Sequence, residues 1–170
     1  MWAPWRFGYI AGGAPIEGCP FCVLPAREPA RDRESLILHR GEHAFVLFNA
    51  YPYNPGHLMV VPYVHEPDLE ALADEVADEV WALGRRTVAL LRSELACQGV
   101  NLGMNLGRAG GAGIADHLHL HAVPRWVGDT NFISTVAAAR VLPVALEELY
   151  DRLAPGFAGS VPGSDGRTEA

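Results

Sequence analysis

The stretch that decides the fold runs from Asp116 to Trp126 and reads DHLHLHAVPRW. Side chains on an extended strand point alternately to opposite faces, so His117, His119 and His121 share one face while Leu118 and Leu120 share the other. The leucines can bind the strand to a helix, and the histidines line a surface on which neighbours stand about 6.5–7 Å apart along the chain. Three of the seven histidines fall within these five positions. A merely half-exposed strand would take Ser, Thr or Lys as readily. Two chemistries suit such a row: a metal site, because imidazole is a common ligand, or phosphoryl chemistry, in which one imidazole attacks phosphorus while its neighbours hold the oxygens.

The flanks favour phosphorus. GRAGGAGIAD, residues 107–116, places four glycines before the strand, and such a loop can bring backbone N–H groups, including those of Gly111 and Gly113, close to an anion. Arg108 and Arg125 stand on either side as candidate phosphate partners.

Working outward, SLILHR (35–40), AFVLFNA (44–50) and HLMVVP (57–62) are short β-prone runs. Gly41-Glu42-His43 and the turn-rich YPYNPG separate them, which predicts an antiparallel meander. Between Pro67 and Gly99 the apolar positions Leu69, Leu72, Val76, Val80, Leu83, Thr87, Leu90, Leu91 and Leu95 recur at helical spacing. Asp68 can cap the start, Gly99 can take the left-handed end, and Gly84 marks close packing or a break. VNLGMNLG (100–107) supplies a fourth strand, HLHLHAVP a fifth that ends at Pro124, and residues 143–153 a second helix. The order β-β-β-α-β-β-α predicts an α+β domain over residues 1–154, with a largely antiparallel five-stranded sheet, one long helix and one short one. Residues 1–34, rich in Trp, Gly and Pro, read as an irregular segment laid over that domain, and residues 155–170 as a disordered tail.

A chain of 170 residues suits one domain, and 49% hydrophobic with 19% charged residues is ordinary for a soluble protein. The net charge of −7 repels nucleic acid as a partner, while a small anion remains acceptable to a site with its own donors. The opening MWAPWRFGYIAGG lacks a signal-peptide run, and no window could span a membrane, which points to a cytoplasmic protein. Of three cysteines, Cys97 reads as a buried small hydrophobe. Cys19-Pro-Phe-Cys22 could be a redox pair, but that motif belongs at a βαβ turn, which this segment lacks. Two thiolates separated by two residues better suit half of a tetrahedral zinc site completed by two histidines; a reduced pair without metal is the alternative.

HLHLHAV fits the His-φ-His-φ-His-φ-φ signature of the histidine triad (HIT) superfamily, and NPGHLMVVP (54–62) resembles the loop and strand that precede its long helix. WAPWR and YI near the start, CPFC, and HAVPRWVGDTNF (121–132) resemble a bacterial branch related to dinucleoside polyphosphate hydrolases and diadenosine tetraphosphate phosphorylases. The resemblance implies that His119 is the nucleophile and forms a nucleotidyl-imidazole intermediate on the way to hydrolysis or phosphorolysis. It further implies that His121 donates to the phosphate or bridging oxygen, and that His57 orients the triad. Asn49 then contacts the ribose, and Asn105 reaches the phosphate region. It makes His65 and His117 the partners of Cys19 and Cys22 in a structural zinc site, calls for no organic cofactor, and implies a homodimer formed through the long helix and a neighbouring strand. Many relatives carry Gln-Ser or Gln-Thr just before the triad. Gly113 and Ile114 stand there in this chain, with Asp116 following, which shifts weight from plain hydrolysis towards phosphorolysis. The alternatives are a phosphoramidase or nucleotidyltransferase of the same superfamily, a non-catalytic nucleotide-binding module, and a zinc hydrolase that uses the triad as ligands.

Overall fold

The computed structural model describes residues 16–129 and 145–158. Five strands form one sheet in the order β1-β2-β3-β5-β4, antiparallel throughout: β1 Ile37–Arg40, β2 Ala44–Phe48, β3 Leu58–Pro62, β4 Gly99–Met104 and β5 Leu120–Arg125. Among the described residues four helices accompany it: α1 Pro20–Val23, α2 Asp32–Ser35, α3 Asp74–Leu95 and α4 Leu146–Ala158. The α+β class and the antiparallel five-stranded sheet therefore stand as the sequence predicts. The segment ahead of β1 is less irregular than expected, since α1, a 3-10 turn at Pro29–Arg31 and α2 occupy much of its described part. The opening fifteen residues and the tail beyond residue 158 lie outside the described residues.

Strand alternation divides the interior into two layers. Val46, Phe48, Leu58, Val60, Leu120 and Ala122 face α3 and α4 and pack with Val80, Leu83, Leu91, Leu149 and Leu153. Phe45, Leu47, Met59 and Val61 point the other way and pack under Phe21 of α1. The functional face of the sheet is this second one. In the middle of α3, a Cβ on Gly84 would sit 2.7 Å from Leu120 Cδ2, so this glycine marks close packing of helix on sheet and no break.

The long helix is shorter than the periodic pattern. Asp68 leads only into a 3-10 turn at Leu69–Ala71 and makes no side-chain cap; Leu72 is extended, and α3 begins after Ala73 with Asp74 and Glu75 in its first turn. Ala96 takes the left-handed conformation (φ +49°) at the other end, leaving Gly99 to open β4.

β5 also differs from expectation at both ends. The β3–β5 register pairs Val60 with Leu120 and would set Pro62 opposite Leu118. Proline has no N–H to give the ladder, and Leu118 N–H instead donates to the Glu66 carbonyl at 2.8 Å. His117 to His119 therefore stand just outside the strand, in a stretch whose alternation persists. At the far end Pro124 does not stop the strand, which runs to Arg125, because beyond Ala122 β5 keeps only β4 as a neighbour.

The C-terminal helix runs to Ala158, past the expected limit of Leu153, so residues 155–158 are not tail. Phe157 is buried, stacks on His39 with ring centroids 5.4 Å apart, and its carbonyl accepts Arg86 Nη2 at 2.6 Å. That anchorage offsets the cost of Pro155 within the helix. The expected start at Pro143 lies outside the described residues.

Candidate active site and metal cluster

The row of histidines is buried: His117, His119 and His121 are 1%, 6% and 9% exposed, and His57 at the head of β3 is 0% exposed. Desolvation of the charged form is the first cause that lowers all four pKa values, to about 3 for His57 and about 4 for His121, with neighbouring imidazoles adding to the shift in those two. The rings are therefore neutral at pH 7, and each has one N–H and one lone pair to place.

The contacts fix those placements. Tyr53 N–H donates to His57 Nδ1 at 3.1 Å, which leaves the His57 proton on Nε2. His57 Nε2–H then donates to His121 Nδ1 at 3.0 Å, which leaves the His121 proton on Nε2. His121 Nε2 is buried and has no partner within the protein, so a donor is held ready for something outside it. His119 Nδ1–H donates to the His117 carbonyl at 2.8 Å, so its Nε2 carries a free lone pair. The rings of His119 and His121 meet edge to face, 4.7 Å apart. A ring with a free lone pair thus stands beside a ring with an unsatisfied donor.

His117 turns its side chain elsewhere. Its Nε2–H donates to the Pro62 carbonyl at 2.9 Å, freeing Nδ1, which lies 3.4 Å from Cys19 Sγ, 3.6 Å from Cys22 Sγ and 3.2 Å from His65 Nδ1. His65 Nδ1 is 3.3 Å from Cys22 Sγ, and the four ligand atoms all lie within 4.8 Å of one another. Tetrahedral zinc with bonds of about 2.3 Å to sulfur and about 2.05 Å to nitrogen requires edges of about 3.6 Å between S and N and about 3.3 Å between N and N. The four separations above lie within about 0.3 Å of those edges. The Pro62 carbonyl is the outer hydrogen-bond partner that metal-bound histidines usually have. The α1 turn makes the thiol pair: the Cys19 carbonyl accepts the N–H groups of Cys22 and Val23 at 3.0 Å each, bringing both sulfurs to one side. Cys19, Cys22, His65 and His117 are a cluster able to hold a metal ion.

The remaining expected residues are placed less uniformly. Asn49 lies against His57, with Nδ2 3.4 Å from His57 Nδ1, while its Oδ1 accepts the Tyr51 N–H at 2.9 Å. Asn105 follows β4 and is half-buried. Arg108 and Gly113 line a groove of about 540 Å³ together with Cys19, His65, Ile114 and Asp116. Gly111 (φ +92°) serves the loop itself: its N–H, expected at an anion, donates to the Arg108 carbonyl at 3.1 Å, and the neighbouring Ala112 N–H donates to Gly107 O at 3.3 Å. Arg125 is held by Asp129 at 2.6 Å and Asn101 at 2.9 Å rather than standing as a phosphate partner. Sequence reading missed Tyr53, whose backbone sets the His57 tautomer, and the carbonyls of Pro62 and Glu66. Main-chain groups carry no residue signature, so only the tight YPYNPGH turn could have hinted at the first.

Comparison with known proteins agrees with this geometry. The HIT domain family model matches residues 30–127. The chain is 37% identical over 164 residues to the AP-4-A phosphorylase of Mycobacterium tuberculosis, covering 93% of this chain and 84% of that protein. It is 28% identical over 93 residues, 55% of this chain and 62% of the relative, to the bis(5'-adenosyl)-triphosphatase of Dictyostelium discoideum. A Zn-bound histidine triad family protein from Mycobacterium smegmatis superposes with a TM-score of 0.65 at 26% identity, covering 83% of this chain and 94% of that one. With the histidine row, the sheet and the matched model in agreement, the chain belongs to the HIT domain family.

Proposed function

We propose that this protein cleaves the phosphoanhydride of dinucleoside polyphosphates such as diadenosine tetraphosphate, with His119 as nucleophile. The observation that carries the reading is the pairing of a free His119 Nε2 lone pair with the buried, unpartnered Nε2–H of His121. The relatives named AP-4-A phosphorylase and bis(5'-adenosyl)-triphosphatase support the substrate class. In the first step His119 Nε2 bonds to the α-phosphorus and the bond to the bridging oxygen breaks, its electron pair leaving with the released nucleoside polyphosphate. That leaving group departs as an anion and needs no proton, so His121 Nε2–H acts as a hydrogen-bond donor to the oxygens that gain charge. The positive charge that phosphorylation places on the His119 ring is met by the His117 carbonyl at Nδ1–H. An acceptor oxygen, from water or inorganic phosphate, then forms a new bond to phosphorus and releases the imidazole.

Inorganic phosphate is the favoured acceptor. Gly113 offers no side chain, and Ile114 packs apolar surface against the layer under Phe21, so neither presents an amide or hydroxyl to orient a water. Asn49 beside His57 and Arg108 on the groove are assigned to ribose and polyphosphate. The cluster is assigned to zinc on its donor set and edge lengths; when bound, zinc supplies a structural staple, since two thiolates and two imidazoles leave no open position. We further infer a homodimer through α3 and the edge strand β4, because Leu102 and Trp81 are exposed there at 38% and 44%. Three free cysteines suit a cytoplasmic location, and no helix among the described residues is long and apolar enough to cross a membrane.

The test is product analysis by mass with diadenosine tetraphosphate, with and without inorganic phosphate, for the parent and His119→Asn. Loss of turnover in the variant is expected, with ADP formed only when phosphate is present. Undiminished turnover by the variant would refute the role of His119, and no turnover by the parent would refute the substrate.

A further inference from the structure

We infer that Phe21 is a positioning residue that ties the geometry of the Cys19, Cys22, His65 and His117 cluster to the orientation of the His119 ring. The inference rests on the reading of His119 as nucleophile and of the cluster as a metal site. Phe21 lies between the two cysteines on α1, is 3% exposed, and sets its ring 5.0 Å from that of His119 and 5.5 Å from that of His117. Behind it stand Ile37, Phe45, Leu47, Met59 and Val61, none more than 6% exposed, so the ring has no space into which to withdraw.

His119 needs such a wall. Its one hydrogen bond, Nδ1–H to the His117 carbonyl, holds a single atom and leaves the ring free to rock about that direction. His121 meets the ring on one side at 4.7 Å, and Phe21 meets it at a 50° tilt. The line along which Nε2 approaches phosphorus therefore depends on where Phe21 stands. A helix of four residues does not hold its own shape in water. What fixes α1 is the pair of sulfurs directed at His65 and His117 and the buried Phe21 between them. A change in the span of the sulfurs turns α1, and the Phe21 ring turns with it. This route through a side chain is separate from the one through the His117 backbone.

The test is a cycle of metal and residue, read on the His119 ring rather than on turnover alone. Full-length protein is loaded with zinc or with the larger cadmium ion, which has the same preference for thiolates, and the ring 15N and 13C signals of His119 are compared at one fixed pH. Cadmium should shift the His119 signals in the parent and shift them clearly less in Phe21→Leu, which keeps apolar volume without the ring and leaves only the route through the His117 carbonyl. Zinc-loaded Phe21→Leu should lose kcat by about tenfold with KM within about twofold, since misplacing a reacting atom by about an ångström costs rate more than binding. Phe21→Tyr, which keeps the ring, should restore both the signals and kcat. Equal cadmium shifts in parent and Phe21→Leu would overturn the inference, as would a Phe21→Leu protein with parental signals and kcat. Should Phe21→Leu fail to hold metal, Phe21→Met, a flexible filler of similar volume, replaces it in the same cycle. Turnover retained by His119→Asn would overturn the catalytic reading alone, and the signal comparison would still decide the coupling.

Discussion

Acidification should unfold this protein through two histidines that no metal touches. Burial holds His57 at about 3 and His121 at about 4, against 6.5 for an exposed imidazole. Both values are lowered in the folded state, so between those values and 6.5 the unfolded chain binds protons that the folded chain refuses. Stability is therefore full above about pH 6.5 and falls steadily as the pH drops towards about 4. At about pH 5 an unfolded histidine is almost wholly protonated while both folded rings remain neutral, and the loss relative to pH 7 is about 2 kcal/mol for each ring. Together the pair removes about 4 kcal/mol, a large part of the 5–15 kcal/mol that typically holds a domain together. The loss at pH 5 is set almost entirely by the unfolded pKa, because both folded values lie below that pH. The assay is urea denaturation with buffered free zinc at pH 7, 6 and 5, comparing the parent with the His57→Gln, His121→Gln double variant. Glutamine does not titrate, and every other ionisable side chain is common to the two proteins. The double variant should start less stable yet lose about 4 kcal/mol less than the parent between pH 7 and pH 5. Parallel losses within about 1 kcal/mol would refute the buried, neutral His57–His121 pair.

Three further outcomes follow from single contacts. Burial, the largest cause, lowers the His119 pKa, and the lone pair of the neutral ring is the active form, so the acid limb of kcat/KM should lie below that of an ordinary exposed imidazole; an acid limb centred above the ordinary imidazole range would contradict this. Glu79 accepts the backbone N–H groups of Glu42 at 2.9 Å and Ala44 at 3.0 Å, and that of His43, so Glu79→Ala should lower stability by about 1–3 kcal/mol in urea titrations by orphaning the β1–β2 turn. Phe157→Ala should lower it by about 3–5 kcal/mol, an effect that a disordered tail could not produce.

Much of the fold was legible because alternation and helical spacing report burial directly. His117 and His119 meet Phe21 on one side of the sheet while Leu120 packs towards α3 on the other, as alternation predicts, and β5, which begins at Leu120, lies between β3 and β4. The boundaries were not legible where tertiary contacts override local signals. Leu69 and Leu72 keep helical spacing with α3 but lie before it, and Phe157 extends α4 beyond a proline because His39 and Arg86 hold it. The site divides in the same way. Cys19 and Cys22 suggested half of a metal site by their chemistry, and His65 and His117, which the family resemblance rather than the residues themselves had pointed to, converge with them. The glycine loop instead closes on its own carbonyls, a matter of backbone direction that composition does not encode. Arg125 illustrates the same limit, since its neighbour Asp129 holds it before any phosphate could.

The central claim is a covalent bond to His119, and the most direct measurement is to trap it. Zinc-loaded protein is mixed with diadenosine tetraphosphate, quenched in alkali because a phosphorus–nitrogen bond is labile in acid, and mapped by peptide mass. The prediction is one adenylyl group on the peptide that contains His119, absent in His119→Asn and discharged when phosphate is added before the quench. Turnover with no modified peptide, or with the adenylyl group on another residue, would contradict it.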